Sequence, residues 1–213
     1  KITDKEKILT PTLRTNRSLF YLKAALYRML KTIPGCNISF TKVSKAYDMA
    51  LESYQAAQEY LKEIYIREST AVDDICVVFL GRPYTLLSRS MNNSIPEIFA
   101  RLGIKAFFQD MLSYEQHEIA DIDPLLRAIH WTYAAKICEA ATVIAKRKGL
   151  YAVFVTSFKC TPDSYAVEYV KKIFDSHNKP YLILQLDEHD SSVGYETRIE
   201  AGIRAFRNHF RSG

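Results

Sequence analysis

The stretch FVTSFKCTPDSYAVEYVKKIF, residues 154–174, changes character at its centre. Its first half is apolar and β-branched, which suits a buried strand. Its second half repeats apolar residues at helical spacing. Thr161 and Pro162 stand at the joint and make a good helix start, a capping residue followed by a proline at the first helical position. Capping and turning account for those two residues, but not for Cys160 just before them. At the mouth of a helix a thiolate is favoured by the helix dipole and by outward-pointing N–H groups. Such a cysteine can be a nucleophile or one ligand of a metal centre completed elsewhere.

Working outward, the same alternation repeats. Apolar runs at 75–80 (ICVVFL, apolar throughout), 104–108 (IKAFF), 150–158 and 180–187 (PYLILQLD) read as strands. Helical patterns at about 95–102, from Asp123-Pro124 to Gly149, at 162–176 and at 195–210 fall between and after them. Strands apolar throughout are buried on both faces, which predicts a mainly parallel sheet with helical crossovers. Residues 1–70 differ. Apolar positions recur at helical spacing over 18–31 and from Thr41 to Ile66, so this part reads as a helical lead-in. The expectation is an α/β, Rossmann-like domain at 71–213, its four-stranded sheet covered by helices on both faces, preceded by an N-terminal helical segment. A start at Lys1 rather than Met is expected of the C-terminal portion of a longer chain.

The 213 residues carry 48% hydrophobic and 25% charged side chains and a net charge of +5, the balance of a globular protein. No apolar run reaches the ~18 residues of a membrane span, and Lys1–Lys7 holds no apolar signal-peptide core. The cations are dispersed, so a nucleic-acid partner is not expected. Four cysteines without paired spacing fit a reducing, cytoplasmic setting better than a disulfide framework.

In a parallel sheet the strand C-termini share one edge, where ligands bind. The first strand is followed by Gly81-Arg82-Pro83-Tyr84, the second by Gln109-Asp110-Met111, the third by Lys159-Cys160-Thr161-Pro162-Asp163-Ser164 and the fourth by Asp187-Glu188-His189. Arg82, Tyr84, Asp163, Ser164, Asp187, His189 and Arg198 are the candidate cofactor-binding residues. The plainer reading of Arg82 and Arg198 is an ion pair with Asp163, Asp187 or Glu188. Arg198 is placed in the first turn of the last helix, where a cation opposes the dipole and calls for an anionic partner. Cys76 and Cys138 fall among core residues and read as structural, and Cys36 lies in a loop. The chain has no phosphate-binding P-loop, dinucleotide-binding glycine motif, hydrolase nucleophile elbow, zinc-protease motif or paired CxxC.

Four ordered segments carry a family resemblance: LGRPYTLL (80–87) with NNSIPEIFARLGIKAFFQDML (92–112), HWTYAAKICEAA (130–141), TSFKCTPDSYAVEYV (156–170) and LDEHDSSVGYETRIEAGI (186–203). Together they resemble the dehydratase-like portion of CoA-substrate-specific enzyme activases, relatives of the activator of (R)-2-hydroxyglutaryl-CoA dehydratase. That portion is itself similar to the iron–sulfur subunits of 2-hydroxyacyl-CoA dehydratases and benzoyl-CoA reductases. In that family the third strand runs into a Phe-Gly-Cys-Gly-Pro-Asp-Ser motif, and Cys160 stands at the cysteine, with Lys159 and Thr161 in place of the glycines. The resemblance implies that Cys160 is one ligand of a 4Fe–4S cluster whose other ligands come from outside this chain. It implies iron–sulfur electron transfer driven by ATP in a separate activase module, with a CoA-ester dehydratase or reductase as partner and a homodimer as one assembly. The isolated chain is then expected to bind no cluster and to catalyse nothing. Two alternatives stand beside it: a cluster-free structural or regulatory module of a larger ATPase, and a phosphate- or nucleotide-binding domain using Arg82 and Arg198.

Overall fold

A computed structural model describes residues 8–13, 18–70, 73–157, 161–186 and 192–212, apart from the side chains of Pro162, Ser192 and Val193. The chain forms two compact units, Lys1–Glu59 and Tyr60–Gly213. In the first lie α1 (Leu19–Lys31) and most of α2 (Phe40–Ser69). Phe40 packs Phe20 and Tyr27 at 5.6 and 5.8 Å between ring centroids, and Lys23 Nζ meets Asp48 at 2.6 Å.

The second unit is built on strands β1 (Cys76–Leu80), β2 (Lys105–Phe108), β3 (Leu150–Ser157) and β4 (Leu182–Leu186). All pairings are parallel, in the order β2-β1-β3-β4. This is the expected α/β fold. The apolar runs take this form because successive strand side chains face opposite sides and both sides are covered. Cys76, Val78 and Leu80 with Leu150, Ala152 and Phe154 join one core, closed by α6 (Thr132–Lys146) and α7 (Thr161–Ser176). Val77 and Phe79 with Tyr151, Val153 and Val155 join the other, closed by α4 (Ile95–Arg101) and α8 (Ser192–Ser212). The short α3 (Pro83–Leu86) follows β1 directly.

Two expectations about helices are corrected. The single helix expected from Asp123 to Gly149 is interrupted: α5 (Asp123–Ala128) stops, Ile129 and Trp131 are extended, and α6 begins at Thr132. Apolar spacing continues across this break, because Ile129 is buried in the same core as Ile137 and Cys138. The periodicity therefore did not reveal it. The last helix starts at Ser192 rather than near Tyr195, which puts Arg198 in the second turn and removes the argument from an unfavourable first-turn cation. No helix among the described residues is long and apolar enough to cross a membrane.

Candidate functional site

The strand order reverses direction between β1 and β3: from β1 the chain moves out to β2 on one side, and from β3 to β4 on the other. In an open parallel sheet the C-terminal ends of two such strands flank the natural binding crevice. The two strands are held very close there. Gly81 has φ +153°, and a Cβ on it would lie 2.5 Å from the Val155 carbonyl oxygen on β3. Its N–H donates to Gln109 Oε1 at 3.0 Å, so the amide beyond the end of β2 closes the end of β1.

Arg82 and Asp163 bridge the crevice. Arg82 Nε donates to Asp163 Oδ1 at 2.6 Å, and Thr156 Oγ1 donates to Asp163 Oδ2 at 3.2 Å. The carboxylate is only 2% exposed and lies in the first turn of α7, where the helix dipole favours a negative charge. One buried carboxylate thus ties the end of β1, the end of β3 and the start of α7. Tyr84 is half exposed beside it, with the Arg82 guanidinium 6.0 Å from its ring centroid. Ser164 is exposed on α7.

Of the residues singled out in the sequence, the structure brings Arg82, Tyr84 and Asp163 together. It gives Arg82 the ion pair expected of it. Arg198 makes its contact elsewhere: its Nη2 donates to the Ile183 carbonyl at 2.8 Å, on the backbone of edge strand β4, and among the described residues it meets no carboxylate. Cys160, Asp187, Glu188 and His189 lie outside the described residues, so the expectation that Cys160 and His189 share this edge falls there too.

Thr156 and Thr85 escaped sequence reasoning as members of the site, and Gln109 was placed on its edge without being counted among the candidate binding residues. Thr156 is an ordinary strand residue until the fold sets it against Asp163. Gln109 and Thr85 are buried, and among the described residues Gln109 Nε2 and Thr85 Oγ1 have no hydrogen-bond partner. The only sequence signal for Gln109 was a polar residue directly after an apolar strand. Buried polar atoms without partners cost about 1–3 kcal/mol each and occur where a ligand or water completes the set.

The thiols divide as expected. Cys76 and Cys138 are buried in the core on the α6/α7 side. Burial pushes both thiols up, Cys138 to about 12 with a further contribution from neighbouring Glu139. Neither is a thiolate near neutrality. Iodoacetamide followed by peptide mass mapping should leave Cys76 and Cys138 unmodified in the folded chain and modify both in urea. Alkylation of Cys138 at equal rates in both conditions would contradict its placement. Among the described residues no group of three or more His, Cys, Asp or Glu side chains is arranged to hold a metal ion.

Comparison with known proteins adds one finding. Residues 1–112 match a family model described as a CoA enzyme activase uncharacterised domain. No curated protein and no solved structure matches the chain. The match takes in the helical segment, β1, the Gly81-Arg82 turn and β2, and ends with the first of the four segments that carry the resemblance.

Proposed function

This chain belongs to the family of CoA enzyme activase domains matched over residues 1–112, and from that premise we propose that it is one lobe of an iron–sulfur electron-transfer protein of the 2-hydroxyacyl-CoA dehydratase activator type. The observation that supports the reading is the crevice between β1 and β3, bordered by Ser157 at the end of β3 and Thr161 at the start of α7, and in the sequence Cys160 stands between those two residues. The donor set among the described residues is compatible with a shared cluster. Cys76 and Cys138 are core thiols with raised pKa, and the described residues offer no ligand group of their own. One thiolate from Cys160, with the rest from outside the chain, is the arrangement compatible with a four-thiolate cluster. Such a cluster would supply one-electron transfer. The chain's own residues do the positioning: Asp163, held by Arg82 and Thr156, anchors the first turn of α7 against both strands. Gln109 Nε2 and Thr85 Oγ1 are buried without a hydrogen-bond partner among the described residues, near the end of β1 that Gln109 closes.

The partners on this reading are the remainder of a parent chain with an ATP-hydrolysing module, and a CoA-ester dehydratase or reductase that accepts the electron, in a reducing cytoplasm. The test uses full-length protein purified without oxygen, assayed for iron and sulfide. Cys160→Ala should lower bound iron by at least half, whereas Cys138→Ala should leave the iron content per folded chain unchanged. Equal iron with and without Cys160 would reject the cluster and favour a cluster-free structural or regulatory module.

A further inference from the structure

The opposite edge of the sheet, where the strands begin, carries a second concavity of about 220 Å³. It is formed where α6 ends, α7 ends, β4 is about to begin and α8 finishes. Its wall includes Lys146, Arg147, Lys148, His177, Lys179 and His209, and no carboxylate. We propose that this cleft is a binding site for a phosphate group, presented either as free phosphate or as a small phosphate monoester.

The argument rests on which cations already have counter-ions. Lys146 is answered by Asp121 at 2.8 Å and Arg147 by Glu118 at 3.1 Å. Lys148 and Lys179 have no ion pair among the described residues. Lys148 is exposed, its Nζ 5.7 Å from the Phe210 ring centroid. Lys179 is 7% exposed, and its Nζ donates to the Ile144 carbonyl at 2.7 Å and to the Arg147 carbonyl, with the Tyr151 ring centroid 5.1 Å away. These partners cap the C-terminus of α6, and the negative end of that helix answers part of the charge. None of them is an anion, and a buried ammonium without one remains under-compensated. Burial accordingly pulls Lys179 down to about 8.

The two imidazoles are each held by one nitrogen. His177 Nδ1 donates to the Ile173 carbonyl at 2.8 Å, which leaves Nε2 as its other polar atom. His209 Nδ1 pairs with Tyr151 Oη at 2.9 Å. Two lysines and two oriented imidazoles, with no acid among them, form a wall suited to a compact anion with several acceptor oxygens. The cavity is smaller than the ~300–1,000 Å³ typical of drug-sized ligands, so the occupant is a phosphate and little more. A polyanion such as RNA would need an extended basic surface rather than a small local cleft.

Isothermal titration calorimetry of the 213-residue chain tests this, with inorganic phosphate, AMP and adenosine as separate titrants. Saturable 1:1 binding of phosphate or AMP, with none of adenosine, is expected. Tighter binding of AMP than of phosphate would identify an ester as the source, and the reverse would identify the free anion. Lys148→Ala and His209→Gln should each weaken binding about tenfold; Lys148 is exposed, and the Gln amide keeps a polar group for the Tyr151 hydroxyl, whereas Lys179→Met also removes the α6 cap. Absence of saturable binding by both phosphate and AMP overturns the proposal. So does an affinity unchanged in the Lys148→Ala/His209→Gln double variant with native circular dichroism, or binding of polyuridylate alone. The outcome is independent of iron content, so it stands apart from the cluster reading.

Discussion

Gly81→Ala should destabilise the chain by about 3 kcal/mol, the sum of an overpacked contact and a backbone conformation that alanine rarely adopts. Gly81 follows β1 with φ +153°, and the added Cβ would lie 2.5 Å from the Val155 carbonyl oxygen. That neighbour is backbone of the central strand β3, paired on both sides, so it cannot rotate away as a side chain would. Relief requires β1 and β3 to separate at their C-terminal ends, which also strains the Gly81 N–H to Gln109 hydrogen bond. For a unit of this size the loss corresponds to a fall in Tm of about 6–12 °C. Gly103→Ala is the control: it too has a left-handed φ, +70°, but nothing lies within 4 Å of its Cβ position. It should lose only ~1 kcal/mol. Urea unfolding of both variants decides the matter, and equal losses would mean that the close approach of β1 and β3 is not the cause.

The second large effect is expected at Arg82. Arg82→Ala removes the cation from Asp163, whose carboxylate is 2% exposed and, among the described residues, then keeps the Thr156 hydroxyl as its side-chain partner. An uncompensated buried charge costs about 3–5 kcal/mol, and because the Arg82 side chain retains 21% exposure, water can reach its place and the lower end applies. Asp163→Asn abolishes the charge while preserving an acceptor for Thr156. The double variant Arg82→Ala/Asp163→Asn should therefore recover at least ~1 kcal/mol of the loss, a coupling that a double-mutant cycle measures directly. Additive losses would show that the pair contributes no more than its separate contacts. Because Asp163 fixes the start of α7, the Arg82→Ala variant prepared as full-length protein should also hold less iron on the cluster reading.

How much of this was legible beforehand follows from the range over which each force acts. The central strands β1 and β3 announced themselves because burial on both faces leaves no polar alternation, and the edge strands β2 and β4 showed as apolar runs interrupted by Lys105 and Gln185. The helix starts at Thr161-Pro162 and Asp123-Pro124 were legible because a proline is favoured in the first helical turn, although Asp123 lies inside α5 rather than capping it. The interruption at Ile129–Trp131 was not, because both sides of it bury apolar residues in one core and the spacing carries on through a change of backbone direction. The cysteines divided by their apolar neighbours, which sequence displays, and burial in the fold explains their raised pKa.

The amino-acid sequence by itself determined the strands, their parallel arrangement and the edge that holds Arg82, Gln109 and Asp163, because hydrophobic burial and backbone sterics act on short windows of chain. The partnerships within that edge belong to the tertiary structure. Arg82 finds Asp163 across 81 residues, Thr156 joins them, and Arg198 turns to the backbone of β4. The same holds for the basic cleft, which collects Lys148, His177, Lys179 and His209 from separate elements. Charges and hydrogen-bonding groups choose partners within a few ångströms. Those distances exist only after strand order β2-β1-β3-β4 has brought distant segments side by side.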